Sequence, residues 1–177
     1  NGQKVGTLGI LAAYSCYPTK NLGGIGDGGV ILCRSPEHAK QSKNLRQYGW
    51  NRERESLFSG YNSRLDEIQA AILRVKLEYL AETNEKRRQL AKQYDEFLRD
   101  LPITLPHRNS KELHAMHLYA CALPTSIDRD EFVWKASQLF DITFGVHYNS
   151  IPTFSAYLPF SFSRNPEAEF PVSYDWG

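Results

Sequence analysis

Apolar residues in the first part of the chain come in two short continuous runs. LGILAAYSCY at 8–17 and GVILCR at 29–34 have the length and composition of buried strands, and the Pro- and Gly-rich stretch between them reads as a loop. From Pro36 to Tyr48, PEHAKQSKNLRQY predicts a short helix, with Ser35 as N-cap and Pro36 in the first turn. Residues 49–62, GWNRERESLFSGYN, mix charge and aromatic rings without a period and predict a loop. Leu65, Ile68, Ile72, Val75 and Tyr79 then recur at helical spacing, and Leu90, Tyr94, Phe97 and Leu101 resume it. A long helix is expected from about 63 to 100, with one irregularity near Thr83 or Asn84.

Pro102 and Pro106 mark a change of organisation. After them MHLYACAL at 116–123 predicts a strand, DRDEFVWKASQLF at 128–140 a helix capped by Asp128, and TFGVHY at 143–148 another strand. The tail is therefore an α+β unit. No internal repeat or low-complexity tract interrupts the pattern.

Composition narrows the function classes. With 41% hydrophobic residues the chain can bury a real core, and its 177 residues suit one ordinary domain or two small ones. A net charge of +1 supplies no global field for nucleic acid or an anionic membrane. Cys16, Cys33 and Cys121 are odd in number and widely spaced, which argues against a disulfide framework and fits a reducing cytoplasm. The longest nearly apolar stretch, Leu8 to Tyr17, is too short to span a bilayer and lacks the flanks of a signal peptide. The opening at Asn1 and the close at Trp176 and Gly177 are expected to be cuts in a longer protein.

The chemistry concentrates in YSCYPTKNLGGIGDGGVIL, 14–32. A lysine on a strand-to-loop turn, a hydroxyl five residues upstream at Ser15, and glycines just downstream offer an amine, an anion-binding group and close backbone approach together. Pyridoxal phosphate (PLP) needs those three things. The plain alternative is that Lys20 is a solvated turn lysine. Gly24, Gly26 and Gly29 match the spacing of a dinucleotide fingerprint, yet a strand follows them where that fingerprint requires a helix. They are better read as a tight connection beside a cofactor pocket. His114 and His117 lead into an expected strand with their rings on opposite faces, and nothing completes a metal set. Lys86, Arg87 and Arg88 sit among Glu78, Glu82 and Glu85 and read as a charge-paired helix face.

SCYPTKNLGGIGDGG, followed about thirty residues later by GYNSRLDEIQAAILRVKLEYL, resembles the nucleotide-sugar aminotransferases of the DegT/DnrJ/EryC1/StrS family. The likeness extends weakly to NGQKVGTLG and to FGVHYNSIPTFSAY, and so covers nearly the whole chain. The resemblance implies an α/β protein of the PLP-dependent transferase fold type I. Residues 1–62 would be the C-terminal part of the large PLP-binding domain with its dimer loop, 63–101 a long connecting helix, and 102–177 an incomplete small α+β C-terminal domain. It also implies a homodimer with shared active sites.

Position by position, the resemblance makes Lys20 the catalytic lysine that carries PLP as a Schiff base and Ser15 the hydroxyl that binds the cofactor phosphate. Asn62 would reach the phosphate of the neighbouring subunit's cofactor, with Tyr61 and Arg64 holding the shape of that loop. Tyr17 corresponds to a position near the sugar, and His147 with Tyr148 to the pair on the C-terminal substrate loop. Arg52, Arg54 and Arg64 would reach a nucleotide diphosphate or cover a dimer seam. The implied activity is ping-pong transfer of an amino group from L-glutamate, through pyridoxamine phosphate, to a nucleotide-linked keto sugar. The string TKNLGGIGDGG leans toward C3 amination of dTDP- or UDP-linked 3-keto sugars. Relatives that deoxygenate sugars carry histidine at the lysine position, so Lys20 favours transamination.

The family's aspartate for the pyridine nitrogen, its phosphate-binding turn and its ring-stacking aromatic lie upstream of the region matched. A 177-residue piece alone would then be a poor or inactive catalyst, and the rival reading is a fragment with only a structural or dimerisation role. The stretch Asn149 to Thr153 also departs from the family's Pro-x-Pro-x-His pattern, having no histidine.

Overall fold

The computed structural model describes residues 2–109, 112–146, 148 and 154. The chain divides into two compact units, Asn1–Phe97 with His107–Tyr119, and Leu98–Pro106 with Ala120–Gly177. In the first unit β1 (Leu11–Ser15) pairs antiparallel with β2 (Gly29–Cys33), from Leu11 opposite Cys33 to Ser15 opposite Gly29. Both strands form inside the expected runs, but they are not buried. Leu11, Val30, Ile31 and Leu32 stay between 41% and 56% exposed. Two such strands form a marginal hairpin alone, and an apolar run of this kind belongs to a strand covered on both faces.

Helix α1 (Pro36–Leu45) starts as its sequence dictates: the Ser35 hydroxyl accepts from the His38 N–H at 3.3 Å, and Pro36 occupies the first turn. Its backbone N–H holds the Glu37 carboxyl below the usual carboxylate range, helped by Ser35. The helix stops short of the expected Tyr48 because Tyr48 and Gly49 both take positive φ, 60° and 73°. The following segment is a loop tied by its own backbone. Tyr48 N–H donates to Tyr61 O at 3.0 Å, Tyr61 N–H to Leu45 O at 2.7 Å, and Leu57 N–H to Gly49 O at 3.0 Å.

The expected long helix is two, α2 (Glu67–Glu78) and α3 (Leu80–Leu98). The irregularity falls at Tyr79 (φ −97°, ψ −1°), four residues before Thr83. Thr83 still takes part, because its hydroxyl donates to Tyr79 O at 2.9 Å alongside its own N–H at 3.0 Å, and such back-bonding bends helices. The apolar positions that define the period are mostly exposed: Ile68, Val75, Tyr79, Leu90, Tyr94 and Phe97 are all open, while Leu73 and Ala91 are buried instead. With Cys16 and Met116 they form the buried apolar set among the described residues of this unit. Glu82 pairs with Lys86 and Glu85 with Arg88, each at 2.6 Å, and those hydrogen bonds hold both carboxyls low. Arg87 departs from the expected charge-paired face. It turns to the Met116 carbonyl, leaving its Nε buried without a partner among the described residues.

The segment 116–123 is not a strand. Met116 is buried at φ 50°, a left-handed conformation that breaks strand geometry, and only an isolated bridge, Thr104 to Ala122, forms there. Arg108 pairs with Asp95, which also accepts from the Tyr119 hydroxyl at 2.7 Å. In the second unit, α4 (Arg129–Phe140) has the expected Asp128 cap, accepting from the Glu131 N–H at 2.8 Å, and ends at Asp141 in the left-handed region. Asp128→Ala is expected to cost about 1 kcal/mol, read as a lower urea midpoint with an unchanged denaturant slope. Residues 141–146 and 148 form no strand, and residue 147 lies outside the described residues. Among the described residues, no helix is long and apolar enough to cross a membrane.

Candidate active site

The loop between β1 and β2 is rooted by backbone bonds. Cys16 N–H donates to Gly28 O and Gly24 N–H to Cys16 O, both at 2.8 Å, around a Cys16 side chain only 2% exposed. Lys20 sits in the turn this creates, its N–H donating to Tyr17 O at 2.9 Å. Helix α2 clamps the far side: Gln69 Oε1 accepts from Ile25 N–H at 2.9 Å, and Lys76 Nζ donates to Gly23 O at 2.7 Å. A Cβ at Gly24 or Gly26 would meet the Gln69 amide, so at both positions the loop lies close against this side chain of α2. That agrees with a tight connection rather than a dinucleotide turn.

The Lys20 side chain is half-buried, and its Nζ lies 3.3 Å from His117 Nε2. His117 Nδ1 lies 3.2 Å from Asn21 Oδ1. Asn21 Nδ2 donates to Asn84 Oδ1 at 2.7 Å and to Ala115 O at 2.8 Å. A turn, helix α3 and the returning segment thus meet around one amine. His114 is separate, its Nδ1 accepting from Met116 N–H at 3.0 Å. No group of three or more metal-ligating side chains forms among the described residues.

Ser15 ends β1, exposed, with its hydroxyl accepting from Tyr17 N–H at 3.3 Å. Tyr17 is half exposed beside it. Asn62 lies on another segment, bridged to Gln47 past the end of α1, and its Oδ1 accepts from Arg64 Nε at 2.9 Å. The Arg64 guanidinium also lies 5.9 Å from the centre of the Tyr48 ring. Tyr148 is 83% exposed, and its expected partner His147 lies outside the described residues. Sequence reading missed Asn21, Gln69, Lys76 and Asn84, and weighed His117 only as a metal ligand. A cleft of about 330 Å³ is lined by Lys43, Trp50, Arg52 and Arg54 among others, and Lys20 is not part of its lining.

The sequence profile of the DegT/DnrJ/EryC1/StrS aminotransferase family matches residues 1–177. The chain is 38% identical over 173 residues to a dTDP-3-amino-3,6-dideoxy-alpha-D-galactopyranose transaminase of Aneurinibacillus thermoaerophilus, covering 98% of this chain and 46% of that protein. The structure of Streptomyces venezuelae DesV in complex with a ketimine intermediate superposes with a TM-score of 0.82 at 35% identity, over 96% of this chain and 44% of that one. The structure of ntda from Bacillus subtilis with bound cofactor PMP gives 0.74 at 26%, over 90% and 38%. The chain spans a third to just under half the length of the curated relatives it matches first, at 32%, 46% and 46%. Profile, relatives and fold agree, and the chain belongs to the DegT/DnrJ/EryC1/StrS aminotransferase family.

Proposed function

We propose that this chain is the central to C-terminal part of a cytoplasmic PLP-dependent aminotransferase that passes an amino group from L-glutamate to a nucleotide-linked keto sugar, with a 3-keto dTDP or UDP sugar as the first choice. The observation that carries this reading is the Lys20 amine, half-buried on a turn braced by Gln69 and Lys76, in a chain of an aminotransferase family. The residues fit the cofactor's donor requirements: an amine for its aldehyde, and the exposed Ser15 hydroxyl at a strand end for its phosphate. The relatives' names support the substrate class, since transaminases making dTDP-3-amino and UDP-3-amino sugars match at 38% to 44% identity.

When bound, PLP supplies an electron sink for negative charge at the donor's Cα. Lys20 would hold the cofactor through its Nζ. The same Nζ would carry the proton at that Cα. Ser15 Oγ would donate to the phosphate, and the family likeness assigns Tyr17, His147 and Tyr148 to the sugar substrate. The domain roles follow: 1–62 for cofactor and dimer contact, 63–101 as connection, 102–177 as small domain. The large apolar side chains exposed on β1, β2, α2 and α3 support a protein completed by more chain and a second subunit.

Asn62 serves the partner copy's cofactor. Because Arg64 donates to its Oδ1, the amide presents Nδ2, a donor suited to a phosphate. Asn62→Ala is expected to weaken PLP retention about tenfold, the value of roughly 1.5 kcal/mol for one hydrogen bond to a charged group, without unfolding the subunit. Unchanged affinity in a spectrophotometric titration counts against this role. The activity itself is tested with full-length protein, L-glutamate and a panel of dTDP- and UDP-keto sugars. Release of 2-oxoglutarate that depends on one of the sugars supports it, and release with none refutes it.

A further inference from the structure

We propose that His117 is a positioning residue for Lys20, holding its amine through Nε2; the proposal rests on the reading of Lys20 as the cofactor lysine. The assignment follows from a chain of donors and acceptors. The Ala115 carbonyl can only accept, so the Asn21 atom 2.8 Å from it is the Nδ2 donor. That same nitrogen serves Asn84 Oδ1 at 2.7 Å, which leaves Asn21 Oδ1 facing His117 Nδ1 at 3.2 Å. An amide oxygen accepts, so Nδ1 carries the proton. In the neutral ring Nε2 is then a lone-pair acceptor, and it faces Lys20 Nζ at 3.3 Å. The lysine nitrogen has N–H bonds to donate in either protonation state, so the two ends match.

The consequence is a fixed starting point for a mobile side chain. Lysine carries four rotatable carbons and about 2 kcal/mol of rotamer entropy, and condensation with an aldehyde needs the nitrogen at a defined distance and angle. The hydrogen bond to His117 restricts that search, and Asn21, anchored to α3 by Asn84, restricts the ring. When the condensation occurs, Nζ joins the aldehyde carbon and one water leaves, so no further reactant is required. In this role His117 acts through Lys20.

The test uses full-length apoprotein, mixed with PLP in a stopped-flow absorbance experiment, with borohydride fixation and peptide mapping of Lys20. His117→Ala is expected to slow fixation on Lys20 about tenfold to a hundredfold, the loss that follows displacement of a reacting group, with KM for L-glutamate little changed. His117→Gln, whose amide oxygen also accepts, is expected to recover most of the rate. Asn21→Ala should give a smaller loss, since it frees the ring without removing it. A His117→Ala protein that fixes PLP at the unsubstituted rate overturns the proposal while leaving the Lys20 reading intact. Equal slowing in the Ala and Gln variants, with equal loss of thermal stability, reduces His117 to a packing role and also overturns it. An unsubstituted protein that fixes no PLP on Lys20 overturns both readings.

Discussion

Lys20→Ala is expected to lower amino transfer by about 10,000-fold, the upper end of what a positioned proton carrier contributes, and to abolish covalent PLP capture outright. Two separate losses combine. The covalent anchor disappears because alanine has no nucleophile, and the Cα proton loses the amine that would carry it. The fold should tolerate the change. Lys20 is only half-buried, and the turn that carries it is held by backbone bonds at Tyr17, Cys16 and Gly24. Its side chain contributes one neutral partner contact, to His117, so the stability cost stays within about 1 kcal/mol. Lys20→Arg provides the control, because it keeps the charge while a guanidinium stays protonated and forms no stable bond to the aldehyde. Both variants should therefore be equally inactive and near the unsubstituted protein in thermal stability. Retention of more than a small fraction of activity by either one removes Lys20 from the mechanism.

Gly49→Ala is expected to destabilise this chain by on the order of 3 kcal/mol, combining a left-handed backbone penalty with a steric collision that side-chain motion cannot relieve. Gly49 has φ 73°, and a Cβ there would run into the Phe58 carbonyl oxygen. That carbonyl belongs to a loop closed from both ends by Leu57 N–H to Gly49 O and Tyr61 N–H to Leu45 O. Moving it breaks the closure. For a chain of this size the corresponding fall in Tm is roughly 6–12 °C. Gly2→Ala separates the two contributions, since Gly2 also has positive φ, 70°, but no atom lies within 4 Å of its added Cβ. Only the backbone penalty applies there. Because Asn62 is bridged to Gln47 at the neck of the same loop, Gly49→Ala should also weaken PLP retention at least as much as Asn62→Ala. A stable Gly49→Ala protein with intact cofactor affinity contradicts the rigid-loop account.

How much of this was legible in the sequence depended on whether a signal was local. Ser35 with Pro36, and Asp128, named the starts of α1 and α4, because a cap acts within three residues of itself. Continuous apolar runs located β1 and β2, yet they also predicted burial, which a strand acquires only from what covers it. The break between α2 and α3 left little trace: Tyr79 is an ordinary helical residue by composition, and the Thr83 hydroxyl that bonds back to its carbonyl sits one turn later. At 116–123 the apolar pattern suited a strand, and the left-handed Met116 overrode it.

The site divides the same way. Lys20 and Ser15 share one short segment, so spacing alone paired them, whereas Tyr17 entered only through the family resemblance. His117 meets Lys20 across 97 positions, and Asn84 meets Asn21 across 63. No periodicity reports such contacts, which exist only because α3 and the returning segment fold back on the turn. The same limit explains Gln69: its amide fills the space that Gly24 and Gly26 leave open, a fit that sequence spacing alone does not encode.

The most direct measurement is an absorbance spectrum of the full-length protein with PLP, taken before and after borohydride and followed by peptide mapping. The account predicts a band near the visible edge that borohydride removes, with the reduced cofactor found on the peptide bearing Lys20 and absent from Lys20→Ala. A cofactor that dialyses away untouched, or one fixed on another lysine, contradicts it.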